Sequence, residues 1–291
     1  MLTHDRTRRA DRTIRIPRAK ETFQESLRWT RSLPPYISVI VLAFLSGGTT
    51  LIGASLAITL GENPLMIAMG IGFSTGIMVL ISLCELVPEA LRIVGPEATS
   101  LSVGLGAALI LTLHILMPHI HLGKDSTAPA RELRAAYFIA FGLILHDVPE
   151  GFAMANAFLP SPSLGLLVAL SIAIHNIPKE FAMAVPAVAV QNRALLFKAA
   201  VLSGLAEPVG AMLGLVAVHL NPALNPSFMA FAAGAMVTVS AFELIPLAGK
   251  YGRMGSFALG VAGSVLVYLA LQALFPHERS EISWLSIPTA R

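Results

Sequence analysis

Runs of about twenty apolar residues, separated by short polar breaks, recur along nearly the whole of this 291-residue chain. A hydrocarbon core about 30 Å thick is crossed by roughly 20 apolar residues in a helix, and a lone strand cannot satisfy its backbone there. Eight such spans are predicted, from Tyr36 to Leu60, Leu65 to Pro88, Thr99 to Leu122, Leu133 to Leu159, Leu164 to Val190, Leu195 to His219, Phe228 to Ala248, and Gly255 to Phe275. The breaks Gly61-Glu-Asn-Pro64, Pro160-Ser-Pro162 and Asn221-Pro222 leave room only for tight turns, so consecutive helices are antiparallel neighbours in one bundle. Only 13% of residues are charged and mean hydropathy is +0.73. Soluble domains carry about a quarter charged residues, which argues against a soluble enzyme.

The expected organisation is a basic, solvated tail over 1–33, an eight-helix membrane domain over 34–276 and a polar tail over 277–291. Net charge is +3, but nine of the twenty Lys and Arg precede Pro34, so the excess belongs to the tail and implies no nucleic acid. Cys84 is the single cysteine, which excludes an internal disulfide and a thiolate cluster. Any metal must then be held by His, Asp, Glu or Asn. Lys124, Arg131, Arg134, Arg193, Lys198, Lys250 and Arg253 lie in one set of loops and Arg92, Arg279 and Arg291 on the other side. That bias puts both termini outside, although the tail's own charges pull the other way.

The chain also repeats itself. At an offset of 158, Phe73, Gly76, Met78, Val79, Ser82, Glu85, Leu86 and Pro88 match Phe231, Gly234, Met236, Val237, Ser240, Glu243, Leu244 and Pro246. At 157, Ser46, Gly47 and Gly53 match Ser203, Gly204 and Gly210. At 29, His146, Pro149, Phe152, Ala153, Met154 and Ala155 match His175, Pro178, Phe181, Ala182, Met183 and Ala184. Each pair of related spans crosses in opposite directions. The reading is an inverted repeat of spans 1–3 and 6–8 around a central pair, 4 and 5, the arrangement by which secondary transporters expose a midplane site alternately to each side.

Polar and charged groups cluster where that site is expected: His146, Asp147 and Glu150 in span four, His175, Asn176, Lys179 and Glu180 in span five, and Glu207 in span six. Such groups cost at least about 2.5–3.5 kcal/mol each at mid-membrane and survive by facing inward and sharing a partner. His146 and Glu150 share a helix face at i and i+4. With His175 and Glu207 they make a nitrogen and oxygen set suited to zinc or another first-row divalent ion. Asp147 and Asn176 are auxiliary ligands or supporting groups. Pro149, Pro178 and Pro208 remove amide donors beside the site, predicting kinks there. His114 and His219, alone on their faces, read first as ordinary hydrogen-bonded histidines.

At these residues the chain resembles the ZIP family of divalent metal transporters, and within it the short prokaryotic GufA-like type. His146-Asp-Val-Pro-Glu-Gly151 is similar to the family's fourth-helix motif, His175-Asn-Ile-Pro-Lys-Glu180 to its fifth, and Ser203-Gly-Leu-Ala-Glu-Pro208 carries its sixth-helix acid. The resemblance implies a helical bundle with the metal as substrate and no organic cofactor, uptake toward the cytosol, a bacterial inner-membrane location amid lipid, and a homodimer. It departs at Lys179, where some prokaryotic relatives carry a glutamate that bridges two metals. We read the Lys179 ammonium as replacing the second metal's charge, leaving one cation on His146, Glu150, His175 and Glu207. The alternative is that Lys179 turns away and merely neutralises an acid.

With termini outside, Glu85 is the expected entrance acid and Glu243 the exit acid. The resemblance adds His114, His119 and His121 as a cytoplasmic metal relay. The expected mechanism is rocking of spans 1, 4, 5 and 6 against the others. Zinc is favoured over cadmium, iron, manganese or cobalt only modestly. Two rivals stand beside transport: a metal-binding gated channel or sensor closed by Lys179, and an intramembrane zinc hydrolase, against which the chain lacks a His-Glu-x-x-His helix.

Overall fold

The computed structural model describes residues 33–60, 63–116, 146–188 and 193–276, with side chains over 185–196 excepted. Most of the basic tail, His119 and His121, the start of the fourth span and the tail 277–291 lie outside the described residues. The chain runs through α1 (Pro35–Leu60), α2 (Pro64–Ile81), a π-helical turn at Ser82–Leu86, and α3 (Val87–Leu116). There follow α4 (146–158), α5 (Pro162–Val188), α6 (Arg193–Leu220) and a 3-10 turn at Pro222–Leu224. The last elements are α7 (Asn225–Val239), a second π-helical turn at Ser240–Leu244, α8 (Ile245–Lys250) and α9 (Met254–Leu274). No strand occurs among the described residues.

Local chemistry sets the helix starts. Asn63 precedes Pro64, and its side-chain oxygen accepts from the amides of Leu65 (3.1 Å) and Met66 (3.4 Å). Ser161 precedes Pro162 and accepts from Leu164 (3.3 Å), and Asn221 precedes Pro222 and accepts from Ala223 (3.2 Å). Each turn thus pairs a capping side chain with a proline whose missing amide would have been orphaned anyway.

Among the described residues, six stretches are long and apolar enough to cross a membrane, one of them a 53-residue run, Pro64–Leu116. That run would extend roughly 80 Å as one helix, but it is broken at Gly95, with φ 77° and ψ 175°. This conformation is nearly confined to glycine. A Cβ there meets nothing within 4 Å among the described residues, so Gly95→Ala tests the backbone. It is expected to lower unfolding stability in detergent by about 1–3 kcal/mol. A variant as stable as the wild type would mean that the turn tolerates ordinary residues.

Among the described residues the charged side chains of the central helices are buried, whereas many large apolar side chains lie on the outer surface. Leu101, Leu259 and Leu266 are each about two-thirds exposed, whereas His146, Asp147, Glu150, His175, Asn176, Lys179, Glu180 and Glu207 are all buried. This is the distribution of an integral membrane protein. α3 packs on α7, α9 on α2, and α1 lies against both α5 and α6. Close approach depends on small residues. A Cβ on Gly47 would stand 2.1 Å from the carbonyl oxygen of Gly204, and one on Gly204 would stand 2.6 Å from that of Gly47. Helices α5 and α6 run on through Pro178 and Pro208, and the departures from α-helical geometry within the described spans lie at the two π turns and at Gly95 instead.

Candidate metal centre

Three helices converge on one buried cluster. Ligand oxygens of Asp147, Glu150 and Glu207 all lie within 4.8 Å of one another. From α5, the His175 Nε2 stands 3.2 Å from Glu150 Oε1, while its Nδ1 is 2.9 Å from the carbonyl of Ser171. A carbonyl only accepts, so Nδ1 carries the hydrogen. In the neutral ring Nε2 then keeps its lone pair toward the carboxylates, the orientation of a metal-binding histidine.

Lys179, one turn further along α5, lies within the cluster. Its Nζ donates to Asp147 Oδ1 at 2.6 Å and to both oxygens of Glu150 at 3.0 Å, with every side chain fully buried. Ser203 donates to Asp147 Oδ2 and lies 3.4 Å from Glu180 Oε2. Asn176 donates to Glu207 Oε1. The buried Ser46 hydroxyl adjoins Glu207, and Asn176 Oδ1 has no hydrogen-bond partner among the described residues. One lysine faces the carboxylates of Asp147, Glu150 and Glu207, with Glu180 adjoining. Such a cluster is short of positive charge, which a divalent cation supplies.

Gly151 brings α4 and α6 together. A Cβ there would lie 2.0 Å from the Glu207 carbonyl oxygen, so only glycine lets the backbone carrying Glu150 reach the backbone carrying Glu207.

Of the expected ligands, Glu150, His175 and Glu207 stand together, with Asp147 among them. His146 lies one turn from Glu150, and its Nε2 is 3.7 Å from Glu243 Oε2. The helical rise of about 6 Å over four residues explains how two side chains on one face meet different partners. His114 Nδ1 lies 3.9 Å from the other Glu243 oxygen. Glu85 is buried and accepts from the Tyr268 hydroxyl and, at 2.6 Å, from Gln272 Nε2. The sequence marked Ser203 through the repeat and the sixth-helix motif without giving it a role, and did not mark Tyr268 or Gln272. A signal for Gln272 was present, because it stands 158 residues after His114, the offset that relates Glu85 to Glu243.

The family described as ZIP Zinc transporter matches residues 118–257. A protein described as zinc transporter ZupT from Corynebacterium aurimucosum is 37% identical over 253 residues, 80% of this chain and 96% of the relative. Counterparts of the same description from Stenotrophomonas maltophilia, 37% identical over 82% of this chain and 97% of the relative, and from Escherichia fergusonii, 36% over 81% and 96%, agree. Identity at this level across four-fifths of its length shows that the chain belongs to the ZIP transporter family.

Proposed function

We propose that the protein carries divalent transition-metal ions, zinc foremost, across the bacterial inner membrane toward the cytoplasm by alternating access. The observation that carries this reading is the buried group of Asp147, Glu150 and Glu207 with His175 aimed into it. The relatives' description as zinc transporters supports the choice of metal. One cation is held by Glu150, His175 and Glu207, with His146 joining from the Glu243 side as the ion leaves. Lys179 supplies the positive charge a second metal would bring, and Asp147, Asn176 and Glu180 complete the surroundings.

Eight crossings, with both termini on one side, follow if the break at Gly95 divides the 53-residue run and 146–158 ends the fourth span, and the loop charge bias makes that side the outside. An inverted repeat is supported by particular contacts. The π turns at Ser82–Leu86 and Ser240–Leu244 stand 158 residues apart and carry Glu85 and Glu243. Gly53 abuts the Ile177 carbonyl and Gly210 that of Val148, while Gly76 abuts Val261 and Gly234 abuts Val103. Each contact is the other's image at offsets of 157, 29 and 158. Spans 1, 4, 5 and 6 then rock against 2, 3, 7 and 8, with Glu85 at the entrance, Glu243 and His114 at the exit and His119 and His121 beyond. A homodimer in the lipid bilayer is part of the same proposal, and cross-linking in native membranes tests it.

A second reading is favoured by the contacts of Lys179 with Asp147 and Glu150, which could close a sensor or gated channel. Uptake of radioactive zinc and cadmium into proteoliposomes separates the two. Saturable uptake by the wild type is expected. No wild-type uptake with robust uptake by Lys179→Glu would favour the sensor. Gly151→Ala is expected to weaken zinc affinity at least about tenfold by parting α4 from α6. Gly104→Ala, where a Cβ meets nothing, should leave it unchanged. Equal affinities for the two variants would detach the metal site from that contact.

A further inference from the structure

Between α1, α2, α5 and α9 lies a cavity of about 420 Å³, within the range of small-molecule pockets, about 300–1,000 Å³. Its walls include Leu56, Met66, Gly70, Phe73, Pro178 and Phe181. At its rim Leu60, Met69 and Leu259 are exposed on the outer surface of the bundle, so the mouth opens to membrane hydrocarbon.

The opposite half of the molecule shows what fills the equivalent position. The offset of 158 carries Phe73 to Phe231, Gly70 to Phe228 and Gly263 to Leu105, and the offset of 29 relates Phe181 to Phe152. There the Phe152 ring packs edge-on against Phe228 and Phe231, with centroids 5.8 and 6.0 Å apart. One half therefore fills this position with its own Phe228 side chain, where the other has Gly70, and Leu105 stands where the other has Gly263. Among the described residues, a Cβ on Gly263 meets only Phe73 Cδ2, at 3.8 Å.

We propose that this cavity binds one acyl chain of a membrane lipid, which occupies the position that Phe228 fills in the opposite half. Apolar walls offer water too few partners to hold it, and an unfilled void forfeits the packing contacts of its lining. The surrounding bilayer supplies hydrocarbon chains at the mouth. The walls come from α1 and α5 on one side and α2 and α9 on the other, so a bound chain bridges the two helix groups that the proposed mechanism moves past one another. That consequence rests on the alternating-access reading. The binding does not.

The full-length protein in liposomes containing a phosphatidylcholine with a diazirine midway along one acyl chain is irradiated, and adducts are mapped by peptide mass spectrometry. Adducts are expected on Phe73 and Phe181 in the wild type. Gly263→Leu, which installs the residue of the opposite half, is expected to reduce them roughly tenfold, as overpacking opposes entry. Adducts on the outward-facing Leu101 and Leu266 stay unchanged. If Gly263→Leu fails to fold, Leu56→Trp narrows the cavity from the opposite wall and should give the same loss. Absence of wild-type adducts on Phe181, or equal labelling in a folded cavity-filled variant, overturns the proposal. Because labelling needs no transport, its failure is distinguishable from failure of the transport reading.

Discussion

Lys179→Met is expected to destabilise the metal-free protein by about 3–5 kcal/mol, because it leaves buried carboxylates without their cation. Lys179 Nζ is the hydrogen-bonded partner of Asp147 and of both Glu150 oxygens, and none of these side chains reaches solvent. The methionine keeps much of the volume and removes the charge. Added zinc should recover part of the loss, since a divalent ion bound among the same oxygens supplies what the ammonium did and stabilises the folded state by mass action. Thermal unfolding in detergent, with and without zinc, measures both effects. Wild-type stability in the zinc-free variant would show that Lys179 does not neutralise these acids.

His175→Ala is expected to lower zinc uptake into proteoliposomes at least about 100-fold, beyond the 10–100-fold that loss of a supporting group costs. Its Nδ1 hydrogen is held by the Ser171 carbonyl and its Nε2 is directed at Glu150, so no neighbouring side chain takes over the same lone pair. Ser171→Ala leaves that carbonyl in place and should transport like the wild type. Glu207→Gln preserves shape and removes one charge from the cluster, and should fall between the two. Uptake by His175→Ala near the wild-type level would move the metal elsewhere in the bundle.

Much of this arrangement was legible in the sequence because membrane burial makes polar residues conspicuous. His146, Glu150, His175 and Glu207 stand out in apolar spans for the same reason that they are costly there, and Glu85 and Glu243 matched through the repeat. The π turns were not legible. They depend on hydrogen-bond register along a helix, which residue spacing does not reveal, and the prolines drew attention to α5 and α6 instead. The partners of Glu85 were missed because Tyr268 and Gln272 lie on α9, whose approach to α2 is set by tertiary packing at positions such as Gly72 and Gly260. His146 shows a similar limit. Its position one turn from Glu150 was readable, but its pairing with Glu243 required knowing where the seventh span lies.

In the proposed site one divalent cation is held between α4, α5 and α6, with Lys179 standing in for a second. Metal content of the purified protein after equilibration with zinc tests it most directly, in the wild type and in Lys179→Glu. One tightly held zinc per chain is expected in the wild type, none in His175→Ala, and a second in Lys179→Glu, where a carboxylate replaces the ammonium. Two equivalents in the wild type, or an unchanged single equivalent in Lys179→Glu together with full binding by His175→Ala, would contradict it.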